Sequence, residues 1–193
     1  MSEIRETRRA AIMQATLEEF CAVGYDGARM DRIARRAGIG KSTVYEYFPS
    51  KLELVTAVVD WIIEKIKSKL GEIFSADRPL RETIEDYLQT TLHMIRSLNG
   101  RTAFMPSDPN VVEVVIGRVR GLKTYAYPLL YSAVQRAQET GDIASDLSAD
   151  RICDLLVVLP NPQLLVLSGD DSESRIAALT DLLFRGLAPR GGA

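Results

Sequence analysis

The side chains best suited to chemistry in this chain are hydrogen-bond donors that lie close together within residues 29–51. Lys41, Ser42 and Tyr45 fall on the outward face of a short predicted helix over about residues 41–48. An ammonium group can donate to O6 and N7 of guanine, and a hydroxyl group can donate to a phosphate oxygen. The pattern therefore indicates contacts with nucleic acid, although an ordinary helical hairpin can have the same spacing.

Two short helical patterns separated by a tight turn must position these donors. The apolar face of the first pattern, over residues 30–37, consists of Met30, Ile33, Ala34 and Ala37. Gly38 follows as a stop, because glycine enters the left-handed conformation at little cost. Val44 and Phe48 are the inward residues of the second helix, which Pro49 ends. Two short helices joined through a glycine turn are typical of the helix-turn-helix unit, whose second helix enters the DNA major groove.

The residues of this stretch also follow a longer pattern, I-A-x-x-A-G-I-x-K-x-T-V-Y-x-Y-F-x-S-K. This pattern resembles the DNA-binding signature of the tetracycline-repressor (TetR) family of bacterial transcriptional regulators. Matching residues extend upstream through Arg9, Ile12, Met13, Ala15, Phe20 and Gly24-Tyr25, so the resemblance covers roughly the first third of the chain. It implies an all-α fold, in which a three-helix helix-turn-helix domain is joined by a long helix to a helical ligand-binding and dimerisation domain.

The resemblance also implies roles for individual residues. Those expected to contact bases or neighbouring phosphates are Lys41, Ser42, Thr43 and Tyr45. Tyr47 and Lys51 occupy positions that fasten the motif to the DNA backbone. The rings of both tyrosines could instead pack against the small helical core.

Three positions depart from the family pattern. Gly40 stands where a capping serine is common, which predicts a less rigid start of the recognition helix. Ala28-Arg29 stands where two threonines are common, and Arg29 could supply the phosphate contact that a threonine hydroxyl would make. Glu46 is repelled by phosphate unless it accepts from a cytosine amino group, so we expect it at the rim of the interface.

Composition argues against several other classes of function. The 193 residues have a formal net charge of −2, with nine Lys/Arg against seven Asp/Glu in residues 1–51 and fifteen against nineteen in the remainder. Cys21, Cys153 and the single His93 have no ligand spacing, so we expect no metal, no cofactor and no catalytic site. The absence of a signal-like N-terminus and of a long apolar run predicts a cytoplasmic protein without membrane spans.

The rest of the chain reads as a helical body, and we divide it into residues 1–51 for DNA binding and 52–193 for ligand binding and dimerisation. A long helix is predicted from Lys51 to about Phe74. The β-branched residues of 111–116 favour a strand, but the absence of a second strand favours a short helix, which we choose. Another helix is predicted over 119–140, in which Pro128 should cause a kink or remove one backbone hydrogen bond.

The last two predicted helices are apolar enough to form the interface of a homodimer with two-fold symmetry. The residues expected there are Leu155, Leu159, Leu164, Ile176, Leu179, Leu183, Phe184 and Leu187. The alternative is that they all face their own core.

A small-molecule pocket in the middle helices is implied by the resemblance alone. Its candidate lining residues are Trp61, Tyr87, Thr91, Phe104, Met105, Tyr125 and Asn161. We therefore expect a homodimeric regulator that binds palindromic operator DNA, is released by a small-molecule effector, and acts as a repressor. The alternative is a helical small-molecule-binding protein or enzyme whose helix-turn-helix is vestigial.

Overall fold

The computed structural model describes residues 2–97, 107–158 and 172–189, and these ranges contain helices and no strand. The helices are α1 (Ser2–Gly27), α2 (Met30–Arg36), α3 (Lys41–Tyr47), α4 (Lys51–Ser75), α5 (Leu80–Ser97), α6 (Pro109–Glu139), α7 (Ala149–Val158) and α8 (Ser172–Leu187). The prediction of an all-α chain is confirmed.

The helices form two compact units. Unit 1 comprises Met1–Lys65 and Arg101–Gly121, and unit 2 comprises Ile66–Gly100 and Leu122–Ala193. Unit 1 extends beyond residue 51 because Leu54 and Val58 of α4 are buried in the same core as α1, α2 and α3. The functional division at residue 51 stays a prediction.

The core of unit 1 confirms the apolar faces predicted for α2 and α3, and one side of α1 packs in the same core. Ile12 of α1, Ile33 of α2 and Val44 of α3 are each 0 % exposed. Gly24 has φ +74° and kinks α1, which then continues for one more turn to Gly27. Gly38 has φ +68° between α2 and α3, as its position as a helix stop predicted.

Helix α6 is one continuous element where the sequence suggested two. The choice of helix for residues 111–116 is confirmed, but the separate start expected near residue 119 is wrong. Val111 is 1 % exposed and anchors the first turn in unit 1. Gly117 lies inside the helix, and a Cβ added there would meet no atom within 4 Å. The glycine therefore costs backbone entropy on folding but leaves no packing defect. Pro128 is also inside the helix.

The core of unit 2 is built from apolar residues of α5 to α8 and the end of α4. Among the least exposed are Ile84, Leu88, Leu130, Val134, Leu156 and Ile176. The first amide of α5, from Leu80, donates to Asp142 Oδ2 at 2.8 Å, so the cap of this helix comes from a residue after α6.

Candidate nucleic-acid interface

Helix α3 is held to unit 1 by its apolar side and is uncapped at its start. Val44 is 0 % and Phe48 3 % exposed. The amide of Phe48 donates to Val44 O at 2.9 Å, and the chain leaves the helix there in an extended conformation. Gly40 precedes the helix and provides no side-chain hydrogen bond, and the less rigid start expected from its missing hydroxyl stays a prediction.

The opposite side of α3 presents polar groups to solvent. Lys41, Ser42, Tyr45 and Glu46 are exposed. The Nζ of Lys41 lies 5.9 Å from the ring centroid of Tyr45. Thr43 and Tyr47 are half-buried, and Tyr47 packs against the core of unit 1. The structure therefore places the four residues predicted to contact bases or neighbouring phosphates along one short helix, with three of them exposed.

Two arginines of α1 lie over aromatic rings at the end of α3. The guanidinium of Arg5 is 5.8 Å from the ring centroid of Tyr47, and that of Arg9 is 5.3 Å from the ring centroid of Phe48. Cations at this distance from a ring face are attracted to it. Helix α1 thus adds positive charge beside the recognition helix, which the motif itself does not reveal.

The ammonium group of Lys51 makes a hydrogen bond within the protein. Its Nζ donates to Tyr25 O at 2.5 Å and lies 4.2 Å from the Tyr25 ring centroid. Burial lowers the pKa of this ammonium, and the nearby Asp26 carboxylate partly opposes the shift. Lys51 therefore ties the start of α4 to the end of α1, and its role towards the DNA backbone stays a prediction.

Arg29 extends from the residue that precedes α2. Its side chain is 70 % exposed and its Nε donates to Asp31 Oδ1 at 3.1 Å. Arg35 bonds to the other oxygen of the same carboxylate, also at 3.1 Å. One acid is thus shared by two arginines on the outer side of α2.

The structure also contains a buried acid that the sequence analysis missed. Glu19 is 1 % exposed, and its Oε2 accepts from Arg36 Nε at 2.8 Å. The sequence does indicate that Glu19 is buried, because it follows Ile12 and Thr16 at the spacing of an inward helical face.

The predicted pocket residues lie in different units or outside the described residues. Trp61 belongs to unit 1, where it lines an open groove of about 660 Å³ and has Lys65 Nζ 3.7 Å from its ring centroid. Tyr87, Thr91 and Tyr125 belong to unit 2. Phe104, Met105 and Asn161 fall outside the described ranges. The pocket stays a prediction.

Tyr87 and Thr91 are adjacent on α5. Burial raises the pKa of Tyr87 to about 12, and its ring centroid lies 5.4 Å from that of Phe74. The Thr91 hydroxyl donates to Tyr87 O at 2.8 Å. Tyr87 is thus held by ring packing, and Thr91 by a hydrogen bond within α5. Tyr125 is 38 % exposed on α6.

The predicted interface residues of α7 and α8 divide into exposed and buried groups. Leu155 is 60 % exposed, and Leu179, Leu183 and Phe184 are half-buried. The expectation for Ile176 and Leu187 is corrected: at 2 % and 5 % exposure they lie on the inner side of α8, in the core of unit 2.

Another exposed leucine lies on α8, and two of the predicted interface residues lie outside the described ranges. Leu182, which was not predicted, is 71 % exposed. Leu159 and Leu164 fall outside the described ranges.

In the described part of the chain, none of the helices is long and apolar enough to cross a membrane. Within the same ranges, the histidines, cysteines and acids do not form a group of three or more that could hold a metal ion.

Residues 12–58 match the family model described as "Bacterial regulatory proteins, tetR family". The transcriptional activator FasR of Mycolicibacterium smegmatis is 36 % identical over 93 residues, which are 46 % of this chain and 42 % of FasR. The transcriptional regulator RutR of Escherichia coli is 33 % identical over 89 residues, with the same two shares of 46 % and 42 %. The match spans less than half the length of these relatives, which are regulators and not enzymes, as the sequence predicted.

The fold extends the likeness over nearly the whole chain. The structure of the transcriptional regulator FadR from Bacillus subtilis, in complex with stearoyl-CoA, superposes with a TM-score of 0.65 at 14 % identity. The superposition covers 92 % of this chain and 98 % of that one. At this identity the likeness shows a shared fold.

Proposed function

This chain belongs to the tetR family of bacterial regulatory proteins, and from that premise we propose that it regulates transcription by binding duplex DNA through α3. The observation that carries the proposal is the division of α3 into two sides. Val44 holds the helix in the core, while Lys41, Ser42 and Tyr45 are exposed. A short helix with donors on its free side fits the DNA major groove.

The side chains of the motif have different roles in this proposal. Lys41 and Thr43 read base edges, and Ser42 and Tyr45 bind bases or the adjoining phosphates. The Tyr47 hydroxyl and the Arg29 guanidinium bind phosphates, which fix the orientation of the helix without reading sequence. Lys51 supports the same DNA strand from the start of α4. Because its ammonium already has Tyr25 O as a partner, its larger effect is on the position of α4.

We propose that two copies of the chain pair through α7 and α8, so that two copies of α3 read half-sites about 34–36 Å apart or a multiple of this distance. The exposed Leu155 and Leu182 support the pairing, because apolar side chains 60 % and 71 % exposed gain from being covered. A two-fold axis would bring the same patch of each copy together.

We further propose that the protein is a cytoplasmic repressor and that a small-molecule effector binds the helical body. An effector that binds better to the form unable to engage DNA lowers operator affinity by that difference. The FadR structure of similar fold holds stearoyl-CoA, so acyl-CoA thioesters are one class to include in a ligand screen. FasR is described as an activator, and the direction of regulation needs its own test.

The experiment is a fluorescence-anisotropy titration of the intact protein with the DNA upstream of its own gene, across a series of salt concentrations. The Lys41→Gln variant should bind the operator more weakly, because it replaces an ammonium donor suited to guanine with an amide suited to adenine. Lys123→Gln serves as the control, since it removes the same charge from an exposed position in unit 2.

Three outcomes bear on the proposal. Specific binding that Lys41→Gln reduces and Lys123→Gln leaves intact supports α3 as the reading element. Equal losses for the two variants contradict that assignment. Absence of specific binding at low salt to this and the neighbouring promoters, combined with tight binding of a ligand, would favour a small-molecule-binding protein without a DNA partner.

A further inference from the structure

A buried carboxylate joins α1 to α2, the first helix of the helix-turn-helix. Glu19 is 1 % exposed, and its Oε2 accepts a hydrogen bond from Arg36 Nε at 2.8 Å. Its Oε1 lies 3.8 Å from an Arg32 guanidinium nitrogen and has no hydrogen-bond partner within the described part of the chain. A charge removed from water in this way needs opposite charge close to it. Both arginines of α2 that face α1 supply that charge.

The same pairing extends to the other arginines of this segment. Arg29 and Arg35 share the carboxylate of Asp31, each at 3.1 Å. All four arginines between residues 29 and 36 therefore have an acid within 4.0 Å. Yet the side chains of Arg32 and Arg36 remain 52 % and 41 % exposed. Arg36 is hydrogen-bonded to Glu19 at one edge and accessible to solvent at the other.

The position of these arginines makes the pairing relevant to DNA recognition. In a helix-turn-helix the first helix crosses the DNA backbone. Phosphate contacts made there strengthen binding to any sequence equally, because phosphates carry no sequence information. An arginine that is not neutralised at this position would therefore raise non-specific binding.

We propose that Glu19 is a positioning residue that holds Arg36 against α1 and so limits non-specific binding of the head to DNA. This inference rests on the proposed function, because it presumes that α3 reads DNA. Glu19 does not touch DNA in this account. It acts through the Arg36 guanidinium, and its effect is on the phosphate contribution to affinity, which supplies essentially all of non-specific binding.

The test compares Glu19→Gln with Glu18→Gln in the full-length protein. Both variants remove one negative charge from the same turn of α1. Glu19 has the 2.8 Å hydrogen bond to Arg36, whereas Glu18 is 52 % exposed and lies 4.0 Å from Arg36. Affinity for the operator and for a duplex lacking it is measured against salt concentration, and thermal unfolding reports whether each variant is folded.

Release of one guanidinium to a phosphate should steepen the dependence of log K on log salt by about 0.9 for each subunit bound. We expect Glu19→Gln to show this change on the duplex without an operator, together with a roughly fivefold gain in non-specific affinity at moderate salt. Glu18→Gln should leave the slope unchanged. Equal slopes for wild type and Glu19→Gln, or equal steepening in both variants, would overturn the inference.

The double variant Glu19→Gln/Arg36→Gln provides a second decision that does not depend on the folding of the single variant. It replaces a charged pair with a neutral pair and leaves no buried charge without a partner. Its salt slope should equal that of the wild type, because Arg36 makes no phosphate contact when Glu19 holds it. A slope lower than wild type by about 0.9 per subunit would show that Arg36 is an ordinary phosphate contact and refute the role of Glu19.

The same data separate this inference from the proposed function. If the wild type binds no duplex even at low salt, the proposed function fails and the inference fails with it. If the wild type binds its operator while the single variant Glu19→Gln behaves as the wild type does, only the inference fails.

Discussion

The turn between α2 and α3 allows a prediction in which one chemical change has opposite effects at two sites of unit 1. At Gly38, φ is +68° and an added Cβ would meet no atom within 4 Å, so the cost of Gly38→Ala is confined to the backbone. A left-handed conformation costs an L-residue roughly 1–2 kcal/mol. The smaller unfolded-state entropy of alanine offsets part of this. The expected net loss in the free energy of unfolding is about 1 kcal/mol.

Gly117 gives the matched control. It lies inside α6, again with no atom within 4 Å of the added Cβ, but its backbone is helical. Alanine is favoured over glycine in a helix interior by about 0.8–1 kcal/mol. Gly117→Ala should therefore raise the free energy of unfolding, and the two variants should differ by roughly 2 kcal/mol.

Urea denaturation followed by circular dichroism measures both effects. The midpoint should move down for Gly38→Ala and up for Gly117→Ala, with the slope against denaturant unchanged. If Gly38→Ala is neutral or stabilising, the turn is not left-handed. If Gly117→Ala is destabilising, the region before residue 119 is not the continuous helix described above.

Three further predictions concern binding, assembly and pH. Lys41→Gln should change which operator base is preferred, whereas Lys51→Gln should weaken binding to all sequences alike. Lys51→Gln should also lower the midpoint of urea unfolding, because it removes the hydrogen bond to Tyr25 O. Equal sequence selectivity of the two variants in anisotropy competition would contradict this division. Leu182→Arg should shift the protein from dimer to monomer in light scattering, since the side chain is 71 % exposed, and an unchanged mass would place the interface elsewhere. Because burial raises the pKa of Tyr87 to about 12 in the folded state, the unfolded chain loses this proton first. Tyr87 should therefore contribute a fall in stability of about 2–3 kcal/mol between pH 10 and 12. The loss measured by urea unfolding should be smaller by that amount in Tyr87→Phe, and an equal loss in both proteins would contradict this assignment.

The helix-turn-helix could be predicted because its signals are local. Met30, Ile33 and Val44 repeat at the helical period, and Gly38 marks the stop between them. Each of these residues lies within a few positions of the next, so no distant contact was needed to place them. The buried positions confirm the assignment.

Features that depend on distant contacts could not be predicted in the same way. Helix α6 continues through Gly117 although β-branched residues locally favour a strand, and the buried Val111 that anchors its first turn depends on contacts outside the helix. The inward position of Ile176 and Leu187 depends on α5 covering that side of α8. An apolar stripe alone does not distinguish a residue that faces its own core from one that faces a second copy.

The contact between Glu19 and Arg36 sets a condition on chimeric regulators in which one DNA-recognition segment replaces another. A graft limited to residues 30–48 would carry α2 and α3 into a host whose α1 has a different residue opposite Arg36, or would bring Glu19 against a foreign α2. A buried charge that loses its partner costs about 3–5 kcal/mol. The transferable segment therefore begins within α1, before Glu19. A new operator preference can be moved between proteins intact only when both ends of this ion pair come from the same parent.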